Sequence, residues 1–269
     1  TTFAESLYFD MKRFNVKVSV VHPGFIKTPM TDQNDFPMPM IKSPEFAANE
    51  IFKGLTQSNA FEIHFPKQFT FIMKILKEEG FGTDCSSLPE LMLSEKIGLE
   101  KEDIMFSSND TPADEYQKAR DLGAIINLDD ISHIQFLENN AGLPSLICFR
   151  YNPGPARKGN VIIGEPKEAK YGFTKEQMFE GYKICLEKGI TRFGMHTMVV
   201  SNELNQDYFI ETARMMFELA AEIKERLGIK LEFINLGGGL GIPYKPEDIG
   251  LNYDTLAEGI KKAYDEIIV

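Results

Sequence analysis

The sequence predicts an α/β protein with a parallel sheet, and three observations carry that prediction. From residue 82 onward six short strand-like runs alternate with amphipathic stretches. No hairpin signal joins any two of the runs, and the spacers are long enough to hold helices. Hydrophobic residues make up 43% of the 269 and charged residues 26%, so the chain has the apolar material for a core. Charge divides the chain: residues 1–76 carry 8 basic and 7 acidic side chains, whereas residues 77–269 carry 21 and 33. The first segment also holds 11 of the 21 Phe, so two domains are expected, 1–76 and 77–269.

Taken in order, Phe3 to Phe14 reads as a helix end, with Phe3, Leu7, Met11 and Phe14 at spacings of three and four. Val16 to Val21 alternates and is β-branched, which predicts a strand that His22-Pro23-Gly24 stops. Four prolines between Pro23 and Met40 predict loop. Ser43-Pro44-Glu45 opens a helix, with Ser as N-cap and Pro in the first turn. Phe61 to Phe65 reads as a second strand and Lys67 to Glu79 as a second helix. The six later strands are expected at Gly82–Cys85, Ile104–Ser107, Ala124–Leu128, Leu146–Tyr151, Phe193–Met198 and Leu231–Leu236. Helices are expected at Ser87–Ile97, Asp114–Leu122, Thr174–Lys188 and Asp207–Leu227. This pattern alone leaves an open doubly wound sheet and a (β/α) barrel equally open.

Composition also excludes function classes. A net charge of −11 argues against nucleic acid or an anionic membrane surface as the main partner. No run approaches the roughly 18 apolar residues of a membrane span, and no basic-then-apolar leader opens the chain. Cys85, Cys148 and Cys185 are odd in number and lack metal-ligand spacing, so no metal is expected and a reduced, cytoplasmic setting is. His22, His64 and His133 likewise have no partners at metal spacing. The first residue is Thr, and a fragment is expected.

Residues 1 to about 76 resemble the C-terminal part of a short-chain dehydrogenase/reductase, on Phe3-Ala4-Glu5-Ser6-Leu7, Pro23-Gly24-Phe25-Ile26-Lys27-Thr28-Pro29-Met30-Thr31 and Phe61 to Pro66. The resemblance implies a Rossmann-type α/β fragment whose Pro23, Gly24 and Thr28 would cap the nicotinamide side of NAD(P). That family's glycine-rich loop and its Ser and Tyr-x-x-x-Lys groups lie upstream of the matching stretch. Tyr8 and Lys12 fit Tyr-x-x-x-Lys, but so do Tyr171 and Lys175, and Tyr8 follows the Phe-Ala-Glu-Ser stretch instead of preceding it. Tyr8 is therefore read as an ordinary helix residue.

Residues from about 73 to the end resemble the barrel domain of the pyridoxal phosphate (PLP) dependent decarboxylases, closest to the diaminopimelate decarboxylase group. The carriers are Gly80 to Ser87 with Glu90-Leu91, Phe149-Arg150-Tyr151-Asn152-Pro153-Gly154, Ala169-Lys170-Tyr171-Gly172-Phe173, Gly194-Met195-His196-Thr197 and Asn235 to Tyr244. The resemblance implies an incomplete (β/α)8 TIM-type barrel and a decarboxylase of lysine biosynthesis acting on a small amino-acid substrate. It further implies a homodimeric family whose dimer-completing C-terminal domain would follow Val269. Met73 to Lys77 fits both resemblances, which implies a fusion of two partial reading frames at a shared helix-coding stretch.

Three successive glycines, Gly237, Gly238 and Gly239, follow an apolar strand and let backbone N–H groups approach a phosphate. The resemblance makes this the PLP phosphate loop, with Ser201 as a substitute phosphate ligand. It makes His196 the imidazole that stacks on the pyridine ring and places Asp84 and Arg150 near the cofactor. Asp84 and Arg150 are equally readable as members of a structural ion pair. The segment around Lys170 is expected to shape the mouth of the site. The family's coenzyme-bearing lysine would stand about nineteen residues before Asp84, at Phe65, and the nearest lysine is Lys67. The chain alone is therefore expected to be inactive or nearly so. A nicotinamide oxidoreductase and a non-enzymatic fragment are the alternatives.

Overall fold

The structure, a computed structural model, describes residues 7–8, 10–23, 26–29, 41–57, 61–65, 75–157 and 171–269. Two compact units divide the chain, Thr1–Phe81 and Gly82–Val269.

In the first unit β1 (Val20–Pro23) pairs in parallel with β2 (Glu62–Phe65), and α1 (Pro44–Gln57) is the crossover between them. Ser43 caps α1 as expected, its hydroxyl accepting from the Phe46 amide at 3.2 Å. Ala47 and Ile63 are buried together, with Val21, Ile26, Phe46 and Ile51 against them. The strand differs from the expectation at both ends. It starts at Val20, leaving Val16 exposed, and it runs through His22 and Pro23 instead of stopping there. β2 is only four residues long, so it pairs only four, and Pro23 stands at the strand's end opposite Phe65. Tyr8 lays its ring 5.0 Å from that of Phe61, as a packed helix residue does. Of the predicted helix Lys67–Glu79, residues 75–78 are helical and residues 66–74, Lys67 included, lie outside the described residues.

The second unit is a parallel sheet of six strands in chain order: β3 (Thr83–Cys85), β4 (Ile104–Ser107), β5 (Ile125–Leu128), β6 (Leu146–Tyr151), β7 (Arg192–Thr197) and β8 (Phe233–Asn235). A doubly wound sheet reverses its strand order at a switch point; this one never does, so every crossover advances the same way. The helices α2 (Leu88–Lys96), α3 (Ala113–Leu122), α4 (Ser132–Ala141), α5 (Lys175–Glu187) and α6 (Gln206–Leu227) fill the five spacers, and α7 (Tyr253–Ile267) follows β8. Local chemistry fixes their ends. Thr174 and Gln177 form a capping box on α5, Asn205 and Asn252 cap α6 and α7, and left-handed Gly123 and Gly228 end α3 and α6.

Alternation along each strand sorts side chains to two faces. Phe106 meets Tyr116 of α3, Phe149 stacks on Tyr182 of α5, and Cys85 touches Ser94 of α2, so these form the helix-covered face. Ile234 and Leu236 join Ala213, Phe217 and Ala263 of α6 and α7 in the same layer. The opposite face carries Asp84, Met105, Ser107, Asn127, Cys148, Arg150, Gly194, His196 and Asn235. It curls strongly. The Asn235 amide on β8 donates to the Met105 sulfur on β4 at 3.2 Å, although four strand spacings in a flat sheet would span about 19 Å. Asn127 on β5 likewise meets His196 on β7 across β6, at 2.9 Å. Both contacts join alternate strands, as the interior layers of a (β/α) barrel do. At the N-terminal rim Arg192 of β7 binds Glu232 and Glu102, the latter just before β4. The unit is thus a half-barrel, the architecture expected of an incomplete TIM-type barrel. The three thiols, Cys85, Cys148 and Cys185, are all free and buried in it.

Candidate functional site

The concave face changes character along its length. Toward the strand C-termini it turns polar, with Asp84, Ser107, Asn127, Arg150, His196 and Asn235 on six consecutive strands. Arg150, His196 and Asn235 stand side by side, because β6 pairs Arg150 with His196 and β7 pairs His196 with Asn235.

His196 is 4% exposed. Burial, helped by the nearby positive charge of Arg150, lowers its pKa to about 3, so the imidazole is neutral at physiological pH. The Asn127 side-chain amide lies 2.9 Å from His196 Nδ1 and 3.0 Å from the Ser107 hydroxyl. Its Oδ1 is buried with no partner among the described residues.

Arg150 does form an ion pair, but its partner is Asp129, at 3.3 Å, and not Asp84. Both side chains are largely buried, and the guanidinium also lies over the Tyr171 ring at 4.2 Å. Burial raises the Asp129 pKa against the opposing pull of Arg150. The Gly172 amide donates to the Asp129 carbonyl at 2.8 Å, and left-handed Gly172 has no room for a Cβ beside Asn152. This docks the segment after Lys170 over the ends of β5 and β6; Lys170 itself lies outside the described residues. Asp84 keeps a solvent-facing side, yet lost hydration still raises its pKa above the carboxylate norm, opposed by a hydrogen bond with Ser107.

After β8 the chain enters the glycine loop. The Gly237 amide donates to Asn235 Oδ1 at 2.8 Å, and Gly237 and Gly239 have φ of 76° and 86°. A Cβ on Gly237 would stand 2.2 Å from the Thr197 carbonyl, and one on Gly239 would stand 2.2 Å from that of Val200. Side-chain-free backbone is therefore required here. Ser201 lies on the same packed segment, its Cα within 3.3 Å of where a Gly239 Cβ would be. Gly238 differs: a Cβ there meets nothing within 4 Å. One side of the loop is packed and the other opens on space.

The structure thus brings Arg150, His196, Gly237, Gly238, Gly239 and Ser201 to one end of the half-barrel, with Asp84 on the first strand of the same face. Pro23 and Thr28 fall in the first unit, while Gly24 and Lys67 lie outside the described residues. Sequence reasoning missed Asn127, Asp129 and Asn235. Asn-Leu-Asp-Asp reads as a strand running into a polar turn, and nothing in its spacing shows that Asn127 reaches β7. Asn235 carried a signal: an Asn two residues before a left-handed glycine marks an Asx-turn.

Residues 61–269 match the family model described as "Pyridoxal-dependent decarboxylase, pyridoxal binding domain". Protein TabA of Pseudomonas amygdali pv. tabaci is 34% identical over 243 residues, covering 87% of this chain and 57% of that protein. The diaminopimelate decarboxylase of Methanothermobacter thermautotrophicus is 33% identical over 191 residues, covering 70% of this chain and 44% of that one. The chain thus spans about half the length of the curated relatives it matches. Among solved structures, diaminopimelate decarboxylase from Helicobacter pylori complexed with L-lysine aligns with a TM-score of 0.64 at 24% identity, over 73% of this chain and 51% of that one. The enzyme from M. jannaschii in co-complex with L-lysine gives 0.66 at 22% identity, over 99% and 56%. At these identities the structural likeness establishes the fold.

Proposed function

Because the chain belongs to the pyridoxal-dependent decarboxylases, matching their pyridoxal-binding domain over residues 61–269, we propose that the polar end of the half-barrel is a pyridoxal phosphate site. The whole protein would be an amino-acid decarboxylase acting on an acidic diamino acid. One observation carries this reading: a buried, neutral His196 stands in one row with a glycine loop whose Gly238 faces open space. Side-chain-free backbone that is packed at Gly237 and Gly239 and open at Gly238 leaves room for a phosphate monoester. A neutral imidazole offers a flat aromatic face without placing a positive charge under the ring.

When bound, pyridoxal phosphate supplies the electron sink that lets an amino acid lose its α-carboxylate. The chain's own contributions follow from the geometry. The Gly237–Gly239 loop would hold the phosphate, the Gly237 and Gly238 amides exchanging Asn235 Oδ1 and the Met198 sulfur for its oxygens, with Ser201 beside them. His196 would support the ring. Arg150, fixed by Asp129 and Tyr171, places a permanent positive charge next to His196, which adds to burial in keeping the imidazole neutral. Asp84, with its pKa raised by burial, is a carboxyl on this face that holds a proton to higher pH than usual, as Asp129 does beyond β5.

The covalent anchor is the part that the described face does not supply. The six strands β3 to β8 carry no lysine. Lys67 remains the proposed alternative, and without it the coenzyme would be held by phosphate and stacking contacts alone. The test is pyridoxal phosphate titration followed by borohydride reduction and intact mass. The expected result is reversible binding, no covalent mass increment, and little or no decarboxylation. A mass increment that Lys67→Ala abolishes would instead make Lys67 the anchor. No binding in the titration would overturn the cofactor site itself.

For residues 1–76 the proposal keeps a dehydrogenase-like, Rossmann-type origin, supported by the Pro23–Thr31 sequence and the parallel β1–α1–β2 crossover. A nicotinamide-dependent activity is not part of it. A homodimer in a cytoplasmic setting belongs to the same reading; the three free, buried thiols suit a reducing compartment.

A further inference from the structure

The proposed site leaves one buried group unexplained. Asn127 is 2% exposed and lies on the inner face of β5, two strands from His196. One side of its amide contacts both Ser107 Oγ and His196 Nδ1, while Oδ1 has no partner among the described residues. An NH2 group has two hydrogens, and here two acceptors stand at 3.0 and 2.9 Å from one nitrogen, so each hydrogen has its own partner. His196 Nδ1 is then an acceptor, and a neutral ring must carry its proton on Nε2.

Resting on the pyridoxal phosphate reading above, we propose that Asn127 is the positioning residue of the site: it sets the plane of the His196 ring and locks it in the Nε2–H tautomer. The inference goes beyond that reading because it assigns a role to a side chain that neither motif nor spacing marks. The sterics agree. Gly194, two residues before His196 on the same face, is closed against the Phe233 ring, where a Cβ would fall at 2.2 Å. Asn235 on the neighbouring strand is committed to Met105 and Gly237. Asn127 is therefore the side chain here that holds the Nδ1 edge. The charge facing the imidazole is that of Arg150 on β6, itself paired with Asp129, and Asp84 on β3 is turned to Ser107.

Long-range 1H–15N correlation spectra of the histidine-labelled 269-residue chain test the proposal, with His196→Gln identifying the resonance among four histidines. The expected spectrum is a single Nε2–H tautomer for His196. Asn127→Leu should convert it to a mixture, and Asn127→Asp, which can only accept when ionised, should invert it to Nδ1–H and raise the imidazole pKa. Should Asn127→Leu fail to fold, the Asn127→Asp inversion decides alone. An Nδ1–H tautomer in the unmodified chain, or a tautomer unmoved in the folded variants, overturns the proposal. Pyridoxal phosphate affinity is the second readout, expected to fall about tenfold in Asn127→Leu, the worth of one well-made hydrogen bond. An unchanged affinity would refute positioning of the ring for the coenzyme. Loss of binding by the unmodified chain would sink the cofactor reading while leaving the tautomer result to decide the Asn127 assignment.

Discussion

At the scale of single residues, the site is governed by burial more than by formal charge. Arg150 and Asp129 show the asymmetry best, since removing one partner strands the other in a place where water cannot replace it. Arg150→Met is expected to lower unfolding free energy by about 3 kcal/mol, measured by urea titration, and Arg150→Met with Asp129→Leu to recover much of that loss. His196 makes the opposite statement about acid. Its folded pKa, about 3, lies below the ordinary 6.5, so the unfolded chain takes up a proton first as pH falls. Stability should therefore drop below pH about 6.5, approaching ~1.4 kcal/mol per pH unit from this group before it levels off near the folded pKa. The raised carboxyls Asp84 and Asp129 contribute with the reverse sign, losing stability as pH rises through their own range. Urea unfolding from pH 4 to pH 7.5 should show a shallower acid limb in His196→Gln than in the parent chain. Little of this was legible beforehand. His196 and Arg150 were found through their neighbours in sequence, whereas the Asp129 pairing depends on how far β5 and β6 carry their ends around the curve.

At the scale of elements, the glycine loop separates structure from binding. Gly237→Ala meets both a left-handed backbone and a carbonyl at 2.2 Å, so it should lower the melting temperature, with a cost of about 2 kcal/mol or more. Gly238→Ala meets nothing and should leave the melt nearly unchanged while weakening pyridoxal phosphate binding, because its methyl group occupies the open side. Paired melting curves and titrations of the two variants check this. Elements with strong local signals were legible. β6 falls at Leu146–Tyr151, as the apolar run Leu146–Phe149 indicates, and α5 and α6 begin at Thr and Asn caps. α4 was harder, because its first cap residue is Ile131 in helical conformation and its buried face is only Ile134 and Leu137. The early part of the predicted Val16–Val21 strand is not strand, because the ladder begins at Val20 opposite Glu62: alternation says which face a residue prefers, and pairing decides where a strand starts.

At the scale of the whole molecule, strand order is the property that periodicity could not supply. An alternating β and α pattern fits both a reversing and a non-reversing sheet; the choice lies in the direction of each crossover, which leaves no local mark. Contacts such as Asn235 to Met105 then follow from curvature, not from any pair of segments. The same wrapping determines where the sulfur atoms sit. Cys85 lies on the first strand, Cys148 at the centre of the sheet and Cys185 on a covering helix, with relative exposures of 1%, 0% and 0%. Burial raises all three thiol pKa values, that of Cys148 most firmly. A thiol-specific reagent should therefore find no target in the native chain and three in denaturant, with Cys85, on a three-residue edge strand, reacting ahead of Cys148 as denaturant is raised. Site-resolved mass mapping would check that order. The sulfurs act as three clocks built into one fold, each ticking only when its own layer breathes. Thiol oxidation in this protein should consequently keep time with its unfolding.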